Sequence, residues 1–170
     1  MKIAVIGAGG VGGYFGGRLA RAGYDVSFLA RGEHLREIQQ NGLRVKSIKG
    51  DFIIDNTQAT DSIHKIGFAD IIILATKAWQ VRDISSELAS IINKNTIVIP
   101  LQNGVLTAKE LAENIPAENI IGGLCKIISK VESPGVINHF ALEPTVIFGE
   151  FDSRETERAE LLKSVFDRAE

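Results

Sequence analysis

One cysteine, Cys125, stands in 170 residues, so no disulfide can close within the chain. The three histidines, His34, His64 and His139, lie far apart with no cysteine or carboxylate at ligand spacing, which argues against a structural metal. A basic excess is also missing: 19 Lys and Arg against 21 Asp and Glu give a net charge of -2. Nothing in that balance would hold a phosphate backbone, so nucleic acid is not an expected partner. Long apolar runs are absent too. The longest near the middle, Ile71 to Ala75, falls far short of the roughly 20 residues of a membrane span. The opening MKIAVIGAGG breaks into glycines instead of continuing as a signal-peptide core. These absences predict a cytoplasmic protein in a reducing compartment, with no membrane partner.

What is present is apolar material, 45% of the chain, enough for the core of one domain over residues 1–170 but not for a second full domain. Short runs rich in Ile and Val alternate with segments of helical period. This is the pattern of an α/β, Rossmann-type, doubly wound sheet, mostly parallel and covered on both faces. Strands are predicted at Lys2 to Ile6, Asp25 to Ala30, Asp70 to Ala75 and Thr96 to Leu101, and helices at Val11 to Ala22, Glu33 to Gln40, Val81 to Ile92 and Thr107 to Glu113. Gly42 reads as a helix stop. Leu43 to Ile48 and Phe52 to Asp55 read as a hairpin or bent edge strand. From Asn119 onward, strand-like runs around Ser133-Pro134-Gly135 predict an antiparallel extension of the sheet, because so short a turn cannot carry a parallel crossover.

A last helix is expected over Ser153 to Glu170, capped by Asp152 with Glu155 three residues on. Its stripe of Leu161, Leu162, Val165, Phe166 and Ala169 reads as exposed apolar surface, so self-association, as a homodimer, is one expectation. The chain stops at Glu170 without a glycine cap, as if cut from something longer.

Seven of the 17 glycines fall between Gly7 and Gly17. Gly7-Ala8-Gly9-Gly10-Val11-Gly12 is a G-x-G-x-x-G between a predicted strand and a predicted helix, the context that marks dinucleotide binding. Gly7 allows the turn, Gly9 lets a diphosphate approach the backbone, and Gly12 lets the helix pack on the sheet. Free N–H groups at the helix start then face the phosphates. The Lys-Ser/Thr pair of a mononucleotide P-loop is missing. Gly12, Gly13, Gly16 and Gly17 line up at spacings of four. Since each glycine costs a helix about 1 kcal/mol against alanine, the helix is expected to lie unusually close to a strand or another backbone.

An NAD-binding second strand ends in Asp or Glu. This one ends Phe28-Leu29-Ala30-Arg31, with Asp25 at the far end. Arg31 is placed to meet a 2′-phosphate, a contact of roughly 1.5 to 3 kcal/mol that favours NADP(H) about ten- to a hundredfold. The competing reading is a solvated loop arginine. Residues after the other strands are polar: Thr76-Lys77, then Gln102-Asn103-Gly104. Lys77 and Asn103 would face the nicotinamide end, where a cation holds a substrate carboxylate and an amide orients the ring or the reacting oxygen. Solvated loop residues are again the alternative. Cys125 and His139 read as buried and strand-bonded residues, and Trp79 and Gln80 as packing at a helix start.

The segments GAGGVGGYFGGRLARAG, FLAR, ATK, LQNG, SPGVINHF and IFGE together resemble the ketopantoate reductase (2-dehydropantoate 2-reductase) family, over its cofactor-binding half. The resemblance implies NADPH-dependent reduction of ketopantoate, a small 2-oxo acid, to pantoate, toward pantothenate and coenzyme A. It implies that Gly7, Gly9 and Gly12 hold the diphosphate and Arg31 the adenosine phosphate, with Lys77 and Asn103 in the nicotinamide and substrate region. The family's catalytic lysine comes from a helical C-terminal domain absent here, so this chain alone is expected to bind NADPH and turn over little. Two other readings stand beside it: a regulatory module that senses nicotinamide nucleotide, and a related reductase of another 2-oxo acid.

Overall fold

Among the residues that the computed structural model describes, 1–103 and 106–169, nine strands form two sheets. The first sheet has the order β5 (Gln58–Thr60), β2 (Asp25–Leu29), β1 (Lys2–Ile6), β6 (Ile71–Leu74), β7 (Ile97–Pro100), and every pairing is parallel. Its central strands are apolar at nearly every position because both faces are covered. Ile3, Val5, Phe28, Ile73 and Ile99 pack on one face, toward α1 (Gly10–Arg21) and the second sheet. Ala4, Ile6, Leu29, Ile72 and Val98 pack on the other, toward α3 (Ile63–Ile66), α4 (Val81–Leu88) and α5 (Thr107–Leu111). The fold is thus the α/β, Rossmann-type arrangement that the sequence predicts.

The second sheet has the order β4 (Phe52–Ile54), β3 (Leu43–Ser47), β9 (Val136–Gly149), β8 (Gly122–Ser133). β3 and β4 are the expected hairpin, and α2 (Gly32–Asn41) before it ends at Gly42, which adopts φ 77°. β8 and β9 are antiparallel, as expected, but β9 pairs with β3 in parallel rather than extending the first sheet. Only a single bridge, Val98 to Ile120, links this part of the chain to a strand of the first sheet among the described residues. The physical reason lies in β8, whose exposure alternates residue by residue: it needs one buried face, and α1 offers it.

That helix lies between the two sheets, and its glycines make this possible. A Cβ on Gly16 would come within 2.5 Å of the Phe28 ring and 2.8 Å of Val5, in the first sheet. On the other strip, a Cβ on Gly13 would come within 2.7 Å of Ile137 and one on Gly17 within 3.2 Å of Val45, in the second. Each spacing of four therefore serves one sheet.

Of the described strands and α-helices, β5 and α3 were not predicted. β5 has no apolar run and is tied to β2 by polar contacts, Ser27 Oγ to Gln58 Oε1 at 3.2 Å and Gln58 Nε2 to Asp25 Oδ1 at 3.1 Å. α3 is a single turn.

The last helix differs from the expected one in its start, its cap and its burial. α6 spans Glu157–Asp167, and its cap is Thr156, whose hydroxyl accepts from the Ala159 N–H. Asp152 instead accepts from the Arg154 N–H and Nε, closing a local turn around Ser153, which adopts φ 62°. Leu162, Val165 and Ala169 are buried, and the Phe166 ring meets Phe15 and Phe148. Most of the stripe is thus covered by the chain itself, and only Leu161 remains exposed, which removes the ground for expecting self-association through it. Among the described residues no helix is long and apolar enough to cross a membrane.

Gly16→Ala should lower stability by about 1 to 3 kcal/mol despite its better helix propensity, because the methyl overpacks against Phe28. Gly149→Ala, where a Cβ meets nothing within 4 Å, should change thermal denaturation little. A second expectation concerns acid. Hydrogen bonds from Arg158 and Thr156 hold the Glu150 carboxyl down from 4.5 to about 2. Its folded pKa lies below the unfolded one, so its stabilisation is present above about pH 4.5 and lost as pH falls toward 2. Glu150→Gln should flatten that part of the stability profile, read by denaturant melts across pH.

Candidate dinucleotide-binding site

The register of the first sheet aligns the strand ends. Ile6 pairs with both Leu29 and Leu74, and Leu74 with Pro100, so four strands finish in one row. At about 4.8 Å per strand that row is about 14 Å long. Four loops leave it on the same edge: Gly7 to Gly9 after β1, Ala30-Arg31 after β2, Ala75 to Lys77 after β6, and Leu101 to Asn103 after β7. The chain winds outward in opposite directions from β1 and β6, which opens a crevice at that border.

The glycine loop is built by contacts that exclude side chains. Gly7 turns at φ 103°, and a Cβ there would meet the Ala75 carbonyl at 3.1 Å. Gly12 would collide with the Gly7 oxygen at 2.1 Å, and Gly10 with the Ser129 carbonyl at 2.5 Å. Ala8 is buried and donates its N–H to Leu29 O at 3.0 Å, while Val11 is half-buried in the first turn. Gly9 differs from these neighbours, since a Cβ would meet nothing within 4 Å. It also begins α1 without a side-chain cap and with no acid in the first turn. The uncapped amino end of a three-turn helix therefore borders open space, a fit for a diphosphate.

Arg31 is exposed at the end of β2, and no hydrogen bond or ion pair holds its side chain among the described residues. Asp25 sits at the opposite end of the strand, where it accepts from Gln58. Lys77 is exposed after β6, and its N–H donates to Gln80 Oε1 at 3.2 Å. Asn103 is exposed after β7, and Gly104 lies outside the described residues. Trp79 does not pack at the helix start as expected: it is 78% exposed, because the turn Ala78–Gln80 carries it away from the core.

Gln102 was not singled out from sequence. It is buried, its Oε1 has no hydrogen-bond partner among the described residues, and its Nε2 lies 3.4 Å from Thr76 Oγ1. Buried side-chain oxygens usually have a partner, so this strand-end oxygen stands out among the described residues. Its signal in sequence was only its place directly after an apolar strand.

Two other reactive side chains stand apart. His139 is 1% exposed and fully bonded, to Ser47 Oγ at 2.8 Å and Leu142 O at 2.8 Å, with its ring against Tyr14. Cys125 lies against Leu101 O at 3.5 Å, and burial pushes its thiol pKa up. A cavity of about 610 Å³ between α1, β9 and α6, lined by Tyr14, Arg18, Phe148 and Phe166, contains none of the strand-end residues.

Parallel order, level strand ends and an open, uncapped helix start define a Rossmann-type domain, the class that lays a dinucleotide across its carboxyl edge. The chain belongs to the ketopantoate reductase PanE/ApbA family, which matches residues 3–153. It is 34% identical over 166 residues to the uncharacterized oxidoreductase YkpB of Bacillus subtilis, covering 98% of this chain and 54% of that protein. The crystal structure of 2-dehydropantoate 2-reductase from Geobacter metallireducens superposes with TM-score 0.93 at 34% identity, covering 99% of this chain and 56% of that one. D-mandelate dehydrogenase with NADH and anilino(oxo)acetate superposes at 0.87 with 27% identity, covering 99% and 55%. The chain spans about half the length of the curated relatives it matches.

Gly9→Ala should cost the fold no more than about 1 kcal/mol, whereas Gly12→Ala should cost about 3 kcal/mol or more by driving a methyl into backbone. Melting curves of the two variants check this.

Proposed function

We propose that this chain is the NADP(H)-binding half of a cytoplasmic oxidoreductase that reduces ketopantoate to pantoate, a step toward pantothenate and coenzyme A. The observation that carries the cofactor is Arg31: a guanidinium with no hydrogen-bond or ion-pair partner among the described residues stands where an NAD-binding strand places its acid. Family membership supports the oxidoreductase class.

In this reading Gly7, Ala8, Gly9, Gly10, Val11 and Gly12 form the diphosphate cradle. The free N–H groups of the first turn donate to phosphate oxygens, and Gly9 admits them by lacking a side chain. Arg31 pairs with the 2′-phosphate. Lys77 and Asn103 border the nicotinamide end, Lys77 to hold the carboxylate of the 2-oxo acid and Asn103 to orient the ring or the reacting oxygen. The bound nicotinamide supplies the hydride. The proton is assigned to a lysine of the family's helical domain, so this half alone should bind cofactor and turn over little.

A second reading keeps the enzyme class and changes the substrate, since a structural neighbour is a D-mandelate dehydrogenase holding NADH. A nucleotide-sensing module is the rival from another class, and it has no use for Lys77 or Asn103.

Arg31→Ala should weaken NADPH about ten- to a hundredfold and leave NADH nearly unchanged, measured by titration calorimetry. An equal loss for both cofactors contradicts the NADP assignment. Turnover of ketopantoate by the full-length protein separates the first reading from the other two, and tight NADPH binding without turnover of any 2-oxo acid favours the sensor.

A further inference from the structure

His34 lies in the first turn of α2 and takes part in none of the roles assigned so far, yet it bridges the two parts of the chain that frame the glycine loop. Its Nε2 lies 2.7 Å from the carbonyl of Ala8, and its Nδ1 accepts from the Gly135 N–H at 3.0 Å. An amide N–H can only donate, so Nδ1 carries no proton and Nε2 must carry one. The ring is therefore neutral and donates to Ala8 O.

The Gly135 end is itself fixed. Gly135 adopts φ 73° in the β8–β9 turn, and its carbonyl accepts from the Arg44 N–H at 2.9 Å. The ring thus transmits the position of the second sheet to the glycine loop of the first. Ala8 is held on both sides, its N–H by Leu29 O at 3.0 Å and its carbonyl by His34.

The consequence follows from peptide geometry. No peptide bond of the described residues is cis, and across a trans peptide the carbonyl and the next N–H point in opposite directions. Drawing the Ala8 carbonyl toward His34 turns the Gly9 N–H the other way. That N–H has no backbone acceptor among the described residues, and Gly9 is the loop glycine whose Cβ would meet nothing.

We propose that His34 is a positioning residue for dinucleotide binding, which holds the Ala8–Gly9 peptide so that the Gly9 N–H faces the diphosphate. The proposal rests on the dinucleotide reading above. Without the ring the peptide can rotate, and a carbonyl oxygen would then compete for the space an anionic oxygen needs.

Two substitutions divide the two bonds. His34→Gln keeps a donor near the Nε2 position, and His34→Asn keeps an acceptor near Nδ1 while losing the donor to Ala8. Calorimetry with NADPH and with adenosine 2′-monophosphate, which lacks the diphosphate, reads the difference. His34→Asn should weaken NADPH about tenfold and adenosine 2′-monophosphate hardly at all, while His34→Gln stays within about threefold of the wild type for both. Equal effects of the two substitutions on NADPH overturn the proposal, as does equal weakening of both ligands by His34→Asn, which would mark a merely structural role. A wild-type chain that binds neither ligand would instead overturn the dinucleotide reading, and this one with it. The unaltered chain offers a check independent of folding. In nitrogen-15 NMR, His34 should show a neutral ring protonated at Nε2, and its Nε2 and the Gly9 amide should both shift on adding NADPH. A ring protonated at Nδ1, or a Gly9 amide that does not respond, contradicts the assignment.

Discussion

The close packing of α1 between two sheets is the constraint from which the rest of the structure follows. A helix bearing side chains at Gly12, Gly13, Gly16 and Gly17 would stand too far from Val5 and Phe28 on one side and from Ile137, Val45 and Phe52 on the other. Four glycines in a helix cost about 4 kcal/mol in propensity. The burial of these five side chains, each worth about 1.5 to 3 kcal/mol, outweighs that cost. Because α1 is pinned on two sides, its amino end is held at the sheet edge, where Gly7 and Ala75 touch.

The second sheet does more than cover a face. Its strands return to the glycine loop twice, through the Ser129 backbone against Gly10 and through Gly135 on His34. Residues far apart in sequence thereby set one peptide plane. The Glu150–Arg158 pair acts at the other end of the fold, where the guanidinium also reaches the Ile120 carbonyl at 3.3 Å and ties α6 to the start of β8. Helix, hairpin and sheet are thus locked around α1, while the carboxyl edge keeps its polar loops open: Arg31, Lys77 and Asn103 are all exposed.

Much of this was legible in the sequence because the parallel strands are buried on both faces and so read as unbroken apolar runs, as in Ile71–Leu74. The glycine spacing also announced close packing, though not that each strip would meet a different sheet. What stayed hidden depends on partners distant in sequence. β5 carries no apolar signal, since polar bonds to Ser27 and Asp25 fasten it. Asp152 looked like a helix cap from spacing alone, yet Ser153 at positive φ delays the helix until Thr156. Of the site, the glycine loop and strand-end residues could be named from order and spacing, and the structure sets them along one edge. Gln102 and His34 could not, because a buried strand-end amide and a two-ended imidazole bridge exist only once the loops are folded.

In the proposed function the pinned helix presents its amino end, across a level row of strand ends, to a dinucleotide. A crystal structure of the protein with NADPH tests it most directly. The diphosphate should lie within hydrogen-bond reach of the Gly9 and Gly10 amides and the 2′-phosphate beside Arg31. NADPH lodged in the cavity between Tyr14 and Phe148, or lying across the edge with its adenosine beside Lys77, would contradict it.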